Sequence, residues 1–530
     1  MPASTSTPGS VAYRFLRVDL SRGCVWVQRQ GREFYRQHMG GRNVILNTLL
    51  TEVPPETDAL DPENRLVFAL GPITGVSVPG ASRHSVGAKS PLTGLFGESE
   101  AGGYWGAELK RAGWDAVIIQ GRAARPTYLW IHDDSVELRD ASHLWGELTG
   151  PVQEMIRTEL GEPRARVAQI GPAGENCVRF ACIVHDLNDV AGRTGLGAVM
   201  GAKNLKAIAV RGGHPVMVVD SEPVAEVARW VAEETLVPGG EHHRLHVWGT
   251  GAMVKSKQLE GHLIANNFRD GQLAGGDEVD ALTIREITDH QMDRCYACSV
   301  RCKKRVSVKQ PDLAVCSEYG GPEYETLAAI GSNTGVTDVM AICKGHEMLN
   351  ALGMDSISCG ATIAWAMEMA ELGILGKSQL GSEDLRFGSS GDVLRVIEQI
   401  ARREGIGNLL AEGSLRASRT LGVEAEAHVV HVKGLEVAMH DPRAMPEMRR
   451  NYPVAPTGGD HTGAASKRSG LRNTVGLCHF LRYDEATTLR LINAATGWGI
   501  LPTELQATFE RGITMARLFN LREGMTEDDD

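Results

Sequence analysis

Three cysteines stand close together at Cys295, Cys298 and Cys302 in the run C-Y-A-C-S-V-R-C, and Cys478 offers a fourth sulfur far downstream. No other feature constrains the fold as much. A loop must curve so that three thiolates point inward, and the distant C-terminal part must return to supply the fourth. Structural zinc sites usually draw on paired C-x2-C ligands, and no second pair exists here, so the uneven spacing favours a [4Fe–4S] cluster over zinc. Arg294, Arg301, Lys303, Lys304 and Arg305 flank the run. Cations beside a cluster ease its reduction and offer a docking face for an acidic electron carrier. A solvated basic loop with incidental thiols is the competing reading, disfavoured because clustered cysteines in a reducing compartment are most often ligands. Cys24, Cys177, Cys182, Cys343 and Cys359 lie among apolar neighbours and read as small buried hydrophobes, whereas Cys316 sits in a polar loop where a thiolate could reach a second metal.

The chain has 530 residues and a net charge of −11. At ~150 residues per domain that length suggests about three domains. The acidic balance argues against nucleic acid or an anionic membrane as the main partner. The start MPASTSTPGSVAYRF has no basic region followed by an apolar stretch, and no window reaches the ~20 apolar residues of a membrane span. A cytoplasmic location is expected. Up to about residue 212, short apolar runs such as NRLVFALG, DAVIIQG and LKAIAVRG alternate with glycine-rich connections, which predicts strands and turns. Thereafter PVAEVARWVAEETL, TIAWAMEMAELGIL and DVLRVIEQIARR follow the helical period. The expected class is α+β, with a β-rich domain over 1–212 and two mainly helical domains over 213–425 and 426–530. No repeat of solenoid length is visible.

Among other groups, GPEYETLAAIG puts Glu323 and Glu325 at a helix start, where the macrodipole favours ionised carboxylates. His461 lies in the loop APTGGDHTGA with no apolar periodicity to bury it, so an open imidazole is expected there. His428 and His431 read as the faces of one strand, and His242, His243 and His246 as a surface loop. AGRTGLGAVMG has the spacing GxGxxxG with no apolar strand leading into it, which excludes a dinucleotide fingerprint. Its glycines could instead let backbone amides approach phosphates, with Arg193, Lys203 and Lys206 as charge partners.

These pieces in this order resemble the tungsten-containing aldehyde ferredoxin oxidoreductase family. GPITG, ASRHSVGAKSPLTG, GGYWGAELKRAGWDAVIIQG, IGPAGENCVRFACI and AGRTGLGAVMGAKNLKAIAVRG are similar to its N-terminal domain, and CYACSVRC, GPEYETLAAIGSNTGV, ALGMDSIS, KGLEVAMHDPRA and RLFNLREG continue the likeness. The resemblance implies a β-rich base beneath a bis-pterin tungsten (or molybdenum) cofactor, two helical domains, and oxidation of an aldehyde to a carboxylic acid with electrons passed through a [4Fe–4S] cluster to ferredoxin. By motif, Cys295, Cys298, Cys302 and Cys478 would hold the cluster, and Glu325 and His461 would flank the substrate. The family's paired D-x-x-G-L-(D/C) pterin motifs fall on Asn350, Gly353 and Asp355 and on Asn473, Gly476 and Cys478. Arg83 would reach the cofactor phosphates, with Gly102, Gly103 and Arg193 in the matching glycine loops, and Glu100 stands where an asparagine helps hold the phosphate-bridging Mg2+.

The departures carry expectations of their own. Asparagine replaces the first aspartate of both pterin motifs, which keeps an acceptor but removes the charge. The E-x-x-H motif that joins subunits through iron in some members runs from Lys344 to Glu347, so a homodimer would lack that bridge. The short stretch from His461 to Cys478 suggests an open site suited to a bulky substrate. Two alternatives accompany the aldehyde reading: a tungsten subunit like that of aromatic-ring (benzoyl-CoA) reductases, with Cys316 on the metal, and a non-catalytic iron–sulfur electron-transfer subunit. A dedicated iron–sulfur partner is as compatible with the charge pattern as ferredoxin is.

Overall fold

A computed structural model of the protein describes residues 13–311, 313–381, 384–463 and 467–526, without the side chains of 467–469. Residues 1–12, the acidic end and parts of the GKSQLGSEDLRFGSSGD and His461–Cys478 stretches lie outside the described residues.

The apolar runs of the first part form β1 (Tyr13–Asp19), β2 (Cys24–Gln30), β3 (Leu66–Leu70), β4 (His84–Lys89), β5 (Phe96–Ala101) and β6 (Ala116–Gln120). Then follow β7 (Thr127–His132), β8 (Ser135–Asp140), β9 (Arg166–Gln169), β10 (Ile183–His185), β11 (Asp189–Ala191) and β12 (Leu205–Arg211). They make two six-stranded sheets, ordered β2-β1-β6-β3-β4-β5 and β11-β10-β9-β12-β7-β8. Read from its other edge, the second sheet repeats the first strand for strand. Each has a single parallel pair, β1 with β6 and β7 with β12, and antiparallel neighbours elsewhere. The sheets share an apolar core in which Leu16, Phe68 and Val86 face Leu129, Ile183 and Ile208, with Trp105 and Leu196 from intervening helices. Each such fully buried aliphatic or aromatic side chain contributes roughly 1.5–3 kcal/mol. His84 on β4 and His185 on the corresponding β10 meet through their Nε2 atoms at 3.1 Å.

From Ser221 onward the chain is mainly helical. Residues from Val254 to Tyr452 share one large core that includes Leu327, Ile342, Trp365 and Met439. The helices Ser221–Thr235, Glu485–Thr496 and Pro502–Arg522 instead cover the free face of the first sheet, where Val227, Leu491 and Phe519 join Ile45 and Val67.

The cysteine run occupies the turn of a hairpin, between strands Asp289–Asp293 and Lys303–Gln310, whose register pairs Asp293 with Lys303. Two helix ends dock on the sheets in matching ways. Gly353 (φ 80°) ends the helix Val339–Leu352, and Gly476 (φ 81°) follows the helix Lys467–Val475. Beneath them sit Gly171, just after β9, and Gly71, directly after β3. A Cβ on Gly171 would lie 2.3 Å from the Leu352 carbonyl, and one on Gly71 would lie 2.0 Å from that of Val475. Positive φ above and backbone contact below explain why glycine fills all four positions.

Candidate active site

The four predicted cysteines converge. Cys478 donates its backbone N–H to Gly80 O at 3.0 Å, and the Arg83 guanidinium lies 3.7 Å from its sulfur. A Cβ on Gly102 would stand 3.0 Å from Cys295 Sγ and 3.7 Å from the Arg83 guanidinium carbon, so the bare backbone there makes room for both. Burial pushes the Cys295 thiol up to about 11. Cys302 is pushed up by burial and then by its neighbours Cys478, Cys295, Glu323 and Cys298, which shows how closely these groups are crowded together. Cys24 departs from expectation: it is exposed on edge strand β2. Of the flanking cations, Arg294, Arg301 and Arg305 are exposed. Lys303 turns inward to Asp189, Lys304 to Glu323 at 3.3 Å, and Arg305 pairs with Asp293 at 2.6 Å.

Beside the thiols lies a polar lining split between the two halves of the base. On the first half, Arg42 and Glu98 form a buried ion pair at 2.6 Å. Asn473 Nδ2 donates to Glu98 at 3.3 Å while its Oδ1 faces His479 Nε2 at 2.7 Å. His479 Nε2 also lies 3.4 Å from Glu100. An aspartate at 473 would confront Glu98 directly, so the amide belongs with the two carboxylates. On the second half, Arg193 pairs with Asp355 at 3.0 Å, and Asp355 caps the helix Ser356–Glu371 by accepting from Ile357 and Ser358 N–H. Asn350 donates to Tyr319 O at 3.0 Å, a bond an aspartate could not make. Gly103 (φ 77°) lies against Asp189. Buried atoms left without a hydrogen-bond partner include Arg42 Nη1, Arg83 Nε, Glu98 Oε1, Glu100 Oε1, Arg193 Nη1, Glu436 Oε2 and Ser358 Oγ. Such a set of unmet guanidinium donors and carboxylate acceptors fits a group bearing phosphates and pterin-like N–H donors.

The AGRTGLGAVMG segment serves another purpose than expected. A Cβ on Gly195, Gly197 or Gly201 would strike the carbonyls of Arg179, Cys182 or Gly174, so these glycines permit close backbone packing. Lys203 is spent on the Pro62 and Asn64 carbonyls and Lys206 on Glu175.

Glu325, in the first turn of the helix Tyr324–Ala329, stands between two imidazoles. His440 Nε2 is 3.0 Å and His461 Nε2 3.7 Å from its Oε1, and Met439 N–H donates to Oε2 at 2.9 Å. Burial alone would raise this carboxyl, but His461 and His440 together draw it down to about 2. The imidazoles stack with centroids 4.9 Å apart, and Asp460 lies 3.8 Å from His461 Nδ1. Behind His440, Lys257 Nζ approaches Nδ1 at 3.3 Å. Sequence reasoning paired Glu325 with His461 and missed His440 and Lys257, although the stretch VAMHDPRA carried the first in plain view. The remaining histidines serve elsewhere: His428 pairs with Glu368 at 3.1 Å, and His242 packs on Trp230. Cys316 is exposed, its N–H bonded to Glu347. Lys344 and Glu347 form an ion pair at 2.6 Å where the bridging-iron motif would run.

Converging thiols next to a cradle of unmet charges, with a carboxylate between two imidazoles, are what an oxidoreductase that relies on metal and cofactor requires. The comparisons specify which. The chain belongs to the aldehyde ferredoxin oxidoreductase family: residues 15–212 match its N-terminal domain and residues 225–530 its domains 2 and 3. It is 36% identical to the tungsten-containing aldehyde ferredoxin oxidoreductase of Pyrococcus furiosus, over 97% of this chain and 89% of that protein. It is 33% identical to a WOR-like subunit of aliphatic sulfonate oxidoreductase from the same organism, over 86% and 75% of the two chains. Among solved structures it resembles the active-site complex BamBC of benzoyl coenzyme A reductase, with a TM-score of 0.82 and 25% identity over 98% of this chain and 91% of that one. Among the described residues no helix is long and apolar enough to cross a membrane.

Proposed function

We propose that this protein oxidises an aldehyde to a carboxylic acid and passes the electrons through a [4Fe–4S] cluster to ferredoxin or a dedicated iron–sulfur subunit. The observation that carries this reading is Glu325, a carboxylate held low between His440 and His461. Cys295, Cys298, Cys302 and Cys478 would hold the cluster. Arg83 and Arg193 would meet the phosphates of the bis-pterin cofactor, at Gly102 and Gly103 on one side, with Glu100 as a ligand to a bridging Mg2+. Asn350, Gly353 and Asp355 would serve one pterin, and Asn473 and Gly476 the other. When bound, the tungsten or molybdenum centre supplies an electrophilic site that takes two electrons.

The reaction adds a water oxygen to the aldehyde carbon and releases two protons and two electrons. Glu325 would be the acceptor for the proton of that water or of the aldehyde hydrate, a carboxylate with an imidazole on either side to take the proton on. His461 faces the same carboxylate oxygen and would move the proton onward. The N–H of Met439 fixes the other oxygen, which keeps the acceptor lone pair aimed.

We further read residues 1–212 as the cofactor base and 213–425 and 426–530 as the helical domains that each bring one pterin motif. A cytoplasmic enzyme, able to pair as a homodimer without bridging iron, is consistent with the Lys344–Glu347 ion pair. The short His461–Cys478 stretch favours a bulky aldehyde. The likeness to benzoyl coenzyme A reductase supports the ring-reductase reading second: exposed Cys316 speaks against metal ligation there, and Glu325 between imidazoles speaks for aldehyde chemistry. The test is aldehyde-dependent reduction of a viologen by the anaerobic holoenzyme. Activity in the wild type, with a loss of about 10²-fold or more in Glu325→Gln at unchanged metal content, supports the reading. Full activity of that variant overturns it.

A further inference from the structure

We propose that Lys257 is a positioning residue that holds His440 neutral, in the tautomer with its proton on Nε2, and thereby keeps Glu325 able to accept a proton. The inference rests on the acid–base reading of Glu325 above. Lys257 lies in the helix Met253–Glu260, far in sequence from the segment that carries His440, and it is buried. Its Nζ meets His440 Nδ1 at 3.3 Å, sits 3.4 Å from Met445 Sδ and lies 5.1 Å from the centre of the Tyr324 ring.

An ammonium has three donors and no acceptor, so the nitrogen it approaches must offer a lone pair. Nδ1 of His440 is therefore unprotonated. In a neutral imidazole the proton then resides on Nε2, the atom 3.0 Å from Glu325 Oε1, where a carboxylate can only accept. Ammonium, neutral imidazole and carboxylate thus form one self-consistent row. Protonating His440 would point a second N–H at the ammonium.

The groups facing this row are few. His440 is faced by Glu325, His461 and Lys257; Tyr324 lies beside its ring, and its backbone carbonyl takes the Tyr452 hydroxyl at 3.1 Å. Burial lowers Lys257, and Glu325, Asp441 and, on its own helix, Glu260 oppose that and favour its ammonium form. Burial lowers His440 first, Glu325 opposes that, and His461 and Lys257 lower it further. Removing the Lys257 charge takes away one of the influences that lower His440, so His440 takes up a proton at higher pH. A protonated His440 grips Glu325 more tightly and makes it a poorer acceptor.

The test compares K257M, K257Q and K257R holoenzymes in aldehyde oxidation with a viologen acceptor across pH. Alongside, modification of His440 by diethyl pyrocarbonate, which attacks neutral imidazole, is followed against pH by peptide mass spectrometry. In K257M and K257Q the acidic limb of kcat/KM and the His440 modification midpoint are expected to move up together by about one unit, with activity recovering at alkaline pH. K257R retains the charge and stays within a few tenths of a unit. A merely structural lysine would lower activity by the same factor at every pH and leave the midpoint alone, which overturns the proposal. If neither neutral variant folds, the wild type decides: a His440 midpoint below the ordinary value of about 6.5 is expected, and one at or above it overturns the proposal. The modification readout does not depend on turnover, so an active Glu325→Gln enzyme would strike the acid–base reading separately.

Discussion

Glu325 ties most of the site's chemistry to a single carboxylate whose ionisation has a consequence for stability. Its folded value of about 2 lies below the unfolded value of about 4.3, so its contribution is complete above pH ~5 and is lost as pH falls toward 2. Glu325→Gln is expected to flatten that part of the pH–stability curve, read by urea denaturation between pH 3 and 6. Asn473 gives a second prediction. Restoring the family's aspartate there would set a carboxylate against Glu98 at the 3.3 Å now bridged by an amide. Asn473→Asp is expected to weaken cofactor retention and stability by roughly 1–3 kcal/mol, measured by pterin content and thermal denaturation. The sequence displayed the asparagine as a departure but not its reason, because Glu98 and His479 meet it only through the fold. Lys257 was illegible on the same ground, and His440, though visible in VAMHDPRA, has no assignable role until its neighbours Glu325 and Lys257 are known.

Elements show how local signals were carried out. The cysteine run lies in the turn of a hairpin whose closing pair is Asp293 with Lys303, and the turn brings its thiols close together. That much followed from spacing. The inward turn of Lys303 and Lys304 did not, since it depends on Asp189 and Glu323 arriving from other elements. Arg294 and Arg301 are exposed within the turn, and Arg305, exposed on the adjoining strand, is paired with Asp293. Charge reversal of Arg294 and Arg301 is expected to raise KM for an acidic ferredoxin several-fold and to leave viologen reduction unchanged, in steady-state assays at low salt. The glycine helix ends make a sharper case. Gly353→Ala would bring a Cβ within 2.7 Å of Gly171 N at a φ of 80°. A loss of roughly 1–3 kcal/mol and of bound pterin is expected, by calorimetry and pterin assay.

At the scale of the whole molecule, the sheets are a repeat that the sequence conceals. Pairing order and strand direction recur without a visible period, because what is repeated is which strand lies beside which and not the identity of the side chains. The sequence displayed the β-rich part and the change to helical periodicity near residue 216 as composition and spacing. It did not display that the Ser221–Thr235 helix joins the C-terminal helices on the first sheet, a matter of long-range packing. The two matched docking points bring the helix ends at Gly353 and Gly476 each onto one half of the base. Elemental analysis of the anaerobically purified protein from metal-replete cells tests this account most directly. About four iron atoms and one tungsten or molybdenum per chain are predicted. Four iron atoms with neither heavier metal, or zinc in place of iron, would contradict it.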